Sequence, residues 1–192
     1  MLVLILGLVV FLGIHSTRIF ADDWRSARIA GLGERRWKLL YTVASLVGLA
    51  LIVWGYGMAR TEPVVLWNPP LWTRHLASLL VLVAFVLIAA TYVPPNHFKA
   101  ALGHPMYAGV KAWAFAHLLS NGTLADVLLF GAFLVWAILG FRSGRVRDRK
   151  AQVTYPAGTA RGTTIAVVAG AVFWAVFAFL LHGPLIGVRP LG

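Results

Sequence analysis

Gly103–Gly122, GHPMYAGVKAWAFAHLLSNG, decides how this chain is read. The stretch is apolar enough to lie among lipid tails, yet it holds two histidines and a lysine. An ionisable side chain costs free energy in hydrocarbon, so such residues face a bundle interior and mark a site. At about 100° per residue the segment divides into two stripes. His104, Tyr107 and Lys111 share one; Met106, Val110, Trp113, Ala114, His117 and Asn121 share the other. No acid lies near His117 in sequence, and a neutral imidazole in apolar surroundings is a natural ligand for haem iron.

The rest of the chain agrees with a membrane setting. Of 192 residues 60% are hydrophobic and 12% charged, where a soluble domain would carry roughly 25% charge. Mean hydropathy is +0.81. The expected fold is all-α, a polytopic membrane helix bundle of about six spans in a single domain covering residues 1–192. The net charge of +11 sits in short loops between apolar runs, which fits lipid headgroups and topology rather than nucleic acid. With no cysteine, disulfides and thiolate chemistry are excluded, and six histidines are the strong nitrogen donors left.

Six apolar segments follow one another: about Leu2–Phe20, Leu39–Ala59, Leu76–Tyr92, Pro105–Leu119, Leu124–Phe141 and Thr163–Leu181. A span takes about 20 residues, so the fourth is short. No barrel-like alternation is present, and helices alone then satisfy the backbone in lipid. The first segment lacks a basic n-region, and Phe20-Ala21-Asp22-Asp23 is a poor cleavage site, so a retained helix is expected. Pro69-Pro70 and Pro94-Pro95 stop helices, while Gly31, Gly33 and Ser143–Gly162 read as solvated loops.

Basic residues set the expected orientation. One loop holds Arg18, Arg25, Arg28, Arg35, Arg36 and Lys38, another Arg142, Arg145, Arg147, Arg149, Lys150 and Arg161. The intervening Arg60–Arg74 loop and the tail, with Arg189, are sparse. The positive-inside rule then places both termini outside the cytoplasm. Trp37, Trp67, Trp72 and Tyr92 fall where aromatic belts form.

Each polar residue of the opening stretch has a plainer reading beside the functional one. Lys111 fits a lysine snorkelling to the headgroups. His104 fits an interfacial helix start, with Pro105 in the first turn. His117 is either a structural histidine bonded to a neighbouring helix or a ligand that needs a second histidine. His15, His75 and His182 are the candidates. With a rise of about 1.5 Å per residue, His117 lies about 18 Å from the cytoplasmic end of its helix and His15 about 10 Å, whereas His75 and His182 lie near the outer face. The difference of about 8 Å is one that helix tilt absorbs. His15 is therefore the best partner. Arg18, one turn on, serves either a haem propionate or as a positive-inside anchor.

The opening stretch, with Tyr92-Val93-Pro94-Pro95-Asn96-His97 and Gly13-Ile14-His15, resembles the NnrU family of bacterial membrane proteins over most of the chain. That family is linked to nitrite and nitric oxide metabolism, that is, to denitrification. Plant zeta-carotene isomerase, which uses a b-type haem, is similar in the membrane core. The resemblance implies one haem b between the first and fourth spans, with His15 and His117 as axial ligands, Arg18 beside it, and His104 as a further functional histidine. It also implies a respiratory redox partner or a hydrophobic small-molecule substrate. The isomerase carries a cysteine where this chain has Ala114, one turn before the second ligand. His104-Pro105-Met106-Tyr107-Ala108-Gly109 is similar as well to the HPxYxG element that helps hold S-adenosylmethionine in membrane methyltransferases of isoprenylcysteine or phospholipids. Here Gly103 replaces the arginine those enzymes place before the histidine, and their glutamate pair is missing.

Overall fold

The computed structural model describes residues 1–190. Its helices are α1 (Leu2–Phe20), α2 (Asp22–Leu32), α3 (Glu34–Ala59), α4 (Trp72–Tyr92), α5 (His97–Leu102), α6 (Pro105–Ser120), α7 (Leu124–Lys150), α8 (Ala160–Ala175) and α9 (His182–Ile186). A π-helical stretch, Val176–Leu181, joins α8 to α9. Five helices are long and apolar enough to cross a membrane: α1, α3, α4, α7 and the continuous Ala160–Ile186 rod. The fourth apolar segment is α6. At 16 residues it is about 24 Å long, short of a full hydrocarbon core, and it lies between α4 and α7.

The order across the bundle is α3, α1, α7, α6, α4, α8. Helix α7 is thus the common neighbour of α1 and α6. Of the 17 lysines and arginines, only Arg60, Arg74 and Arg189 lie toward the end where α3 finishes and α4 begins.

Two stretches expected as loops are helical. Gly31 lies within α2, and Ser143–Lys150 continues α7 by more than two turns. Charges at the ends of these helices sit where the helix dipole favours them. Asp22 and Asp23 occupy the first turn of α2, and Arg147, Arg149 and Lys150 the last turn of α7.

Helix ends are closed by side chains. Thr123 and Asp126 form a reciprocal capping box at the start of α7, satisfying two otherwise orphan N–H groups. Asn96, almost wholly buried, accepts from Lys99 N at 2.9 Å and donates to Ala90 O at 2.8 Å and to Val93 O. It closes the end of α4 and opens α5 at once. Residues 64–66 run across the α6–α7 turn, where Leu66 N donates to Gly122 O and Leu124 N to Val64 O.

Size is distributed opposite to a soluble core. Ala84, Ala114, Ala137 and Ala166 are fully buried, while Leu46, Val53 and Trp54 are exposed. Such a surface faces acyl chains, and small residues let helix backbones approach. The α1–α3 seam is the tightest case. A Cβ on Gly48 would stand 2.7 Å from Phe11 N, and one on Gly7 2.6 Å from Ile52 N. Gly57, on the same helix, faces open space. Gly48→Val is expected to cost about 1–3 kcal/mol through overpacking, and Gly57→Ala to be neutral or mildly stabilising. Thermal unfolding in detergent checks this; equal effects at the two positions would refute the close-packed seam.

Candidate functional site

His117 lies on the last turn of α6, largely enclosed. Its Nδ1 is 2.8 Å from Trp113 O, and its ring stacks on Phe130 at 4.5 Å. His15, on α1, repeats the arrangement. Its Nδ1 is 2.6 Å from Phe11 O, and its ring stacks on Phe11 at 4.2 Å. Tyr41 and Trp136 meet it edge-on at 5.1 and 6.2 Å. A carbonyl can only accept, so Nδ1 carries the proton in both rings and the Nε2 lone pair is free. Neither Nε2 has a hydrogen-bond partner among the described residues. An imidazole whose Nδ1–H is held by a carbonyl is the form that metals bind.

The other two partners considered for His117 sit differently. His75 is exposed on the first turn of α4. His182 is at the end of the last span, with Nδ1 2.6 Å from Val188 O. His182 lies near enough to His117 for their charges to interact; His15 and His117 do not touch. A row of rings joins them: His15 to Phe11, Phe11 to Phe133 at 5.8 Å, Phe133 to Trp113 at 5.5 Å, and Trp113 to His117 at 5.1 Å. Helix α7 measures their offset, since Phe130 faces His117 and Trp136 faces His15. Six residues of helix make that about 9 Å along the axis.

The donor chemistry fits a b-type haem. Among the described residues no group of three or more His, Cys, Asp or Glu comes together. His15 and His117 each offer a single imidazole nitrogen, the kind of donor that iron already held by a porphyrin would take. Trp136 Nε1 is buried without an acceptor beside His15, and an orphan donor of this kind is unusual in a filled interior. Phe11, Phe133 and Trp113 occupy the space between the histidines, so a planar macrocycle requires these rings to turn. Ala114, one turn before His117, is fully buried. Arg18 is exposed; its carbonyl accepts from Arg147 at 3.2 Å.

His104 belongs to a second cluster at the basic end. Its Nε2 lies 2.9 Å from Asp148 Oδ2, an ion-pair distance without good hydrogen-bond alignment. Tyr155 donates to the same oxygen at 2.8 Å. Burial, reinforced by that carboxylate, pushes the Tyr155 phenol above its usual pKa, which keeps it a donor. The imidazole rests on Gly144 and the Tyr107 ring on Gly140; a Cβ at either glycine would overlap them. Lys111 places Nζ 4.0 Å over the Phe141 ring, a cation–π contact. His104 and His117 are about 20 Å apart along α6. His104 connects instead toward His15, through Tyr107 (6.3 Å) and Trp136 (5.1 Å).

Three polar participants were not singled out from the sequence. Asp148 and Tyr155 are two of them. Asp126 accepts from Tyr56 at 2.5 Å and is nearly fully buried; the Thr123-x-x-Asp126 spacing was its available sign.

These features define a polytopic α-helical membrane protein with an aromatic interior and two inward imidazoles. The chain belongs to the NnrU family, whose model, described as NnrU protein, matches residues 3–190. No curated protein matches it, and no solved structure does.

The Asp148 cluster is testable directly. Asp148→Asn and His104→Gln are each expected to lower the unfolding temperature. In the double variant the two should be coupled by about 1 kcal/mol, as for groups in direct contact at a partly solvated site. Strict additivity would mean the pair contributes nothing.

Proposed function

We propose that this NnrU-family protein holds one b-type haem between α1 and α6, with Nε2 of His15 and His117 as axial ligands, and serves nitrite and nitric oxide metabolism. The observation that carries this is the matched pair. Two histidines on separate helices, both beside α7, each commit Nδ1–H to the carbonyl four residues back and leave Nε2 unpartnered. Bound there, haem supplies a one-electron centre, or an open iron for a small ligand if one histidine leaves.

The chain's own groups supply the remainder. Phe11 and Trp113 carbonyls fix the tautomers, and Phe130 and Phe133 exclude water. Arg18 offers a guanidinium one turn from His15, suited to a carboxylate such as a propionate. The redox ligand switching that the isomerase resemblance implies has no residue to carry it, because Ala114 stands where the thiolate would be. The methyltransferase reading gains no support either, since His104 is engaged by Asp148 and packed under Tyr155.

An absorption spectrum of the purified protein, with and without dithionite, tests the site. A Soret band is expected in the wild type and should be lost in His15→Ala and His117→Ala. A folded, colourless protein from haem-replete cells would sink the proposal.

The same reading places the protein in the inner membrane with both termini periplasmic, because the basic end should face the cytoplasm. The absence of native cysteine makes this simple to check. An impermeant thiol reagent added to spheroplasts should label Thr61→Cys, and should label Ser26→Cys only after lysis. The reverse pattern would invert the topology.

A further inference from the structure

The outer seam between α1 and α7 is a groove open to the bilayer, distinct from the side on which His15 meets Tyr41. Leu12, Ser16 and Phe20 of α1 and Ala132, Val135 and Leu139 of α7 line it. Two open hollows of about 380 and 570 Å³ share Leu12, Ser16, Phe20 and Ala132, so they run into one shallow groove. Small residues make the room: Gly13, Ser16, Gly131 and Ala132 leave the seam underfilled. From Leu8 to Ala21 the groove is about 20 Å long, slightly more than the roughly 15 Å depth of one leaflet's hydrocarbon.

Its mouth is basic. Beyond Leu139, α7 presents Ser143 and then Arg147 at one-turn intervals, continuing the lining stripe to the bundle end. Arg147 Nη1 donates to Ser143 Oγ at 2.6 Å and to Arg18 O at 3.2 Å, which holds the guanidinium across the groove's end. No carboxylate lies within ion-pair distance of Arg147 or Arg18 among the described residues. Asp22 and Asp23 start α2 close by, and Asp22 is paired with Arg25 at 3.8 Å. An open apolar groove about one leaflet deep, with the Arg147 guanidinium across its end and no carboxylate paired to it, matches one class of molecule. That class has a long acyl chain beneath a negatively charged phosphate.

We infer that the α1–α7 groove is a binding site for one anionic phospholipid of the surrounding leaflet, with an acyl chain along Leu12, Ala132 and Val135 and its phosphate on Arg147. The groove adjoins the surroundings of His15 through Trp136, which lines it.

Native mass spectrometry of the full chain in mild detergent, titrated with phosphatidylglycerol or phosphatidylcholine, reads this directly. One phosphatidylglycerol should be retained in preference to phosphatidylcholine. Arg147→Gln should weaken that retention about fivefold, the worth of one basic residue at an anionic surface, with phosphatidylcholine unaffected. Arg74→Gln, at the opposite end, should change neither. Ala132→Phe should weaken both lipids by filling the groove. Val135→Phe, at a lipid-exposed position, does the same without a packing cost if Ala132→Phe fails to fold. Equal retention of the two lipids, no retention of either, equal effects of Arg147→Gln and Arg74→Gln, or an indifferent groove-filling variant would each overturn the inference.

Discussion

In lipid, apolar side chains gain almost nothing by packing on one another rather than on acyl chains, so this bundle depends on how closely its backbones approach. The small residues are placed accordingly. Gly7 and Gly48 bring α1 onto α3, and Gly140 and Gly144 give room on α7 for the rings of Tyr107 and His104. Fully buried alanines mark the other seams, while leucine, valine and tryptophan face outward. Where α1 and α7 leave their seam underfilled, the result is the lipid-facing groove.

Helix α7 turns these contacts into a site. It is the neighbour common to α1 and α6, and its Phe130, Phe133 and Trp136 form a stripe facing both. His117 stacks on one end of that stripe and His15 meets the other edge-on. Each histidine has its Nδ1–H held by a carbonyl of its own helix, and the charge of buried Asp126, at the start of α7, reaches His117.

The polar groups that do pair lie at the two ends of α7. Asp126 caps its start and accepts from Tyr56. Asp148, near its finish, is shared by His104 and Tyr155. Both acids therefore clamp neighbouring segments near the ends of the long helix, away from its hydrocarbon-spanning middle.

The sequence alone was enough for the helical spans, the short α6 and the basic end of the bundle. Hydropathy and charge are local properties that a span cannot hide. The sequence misled locally at Gly31 and Ser143–Lys150, which read as solvated loops and are helical. Only the tertiary structure joined His104 to Asp148 and Tyr56 to Asp126, put α7 between the two histidine helices, and opened a groove beside Trp136. Those facts depend on helix order and rotation. Contacts among small residues far apart in the chain set both, and no local periodicity encodes them.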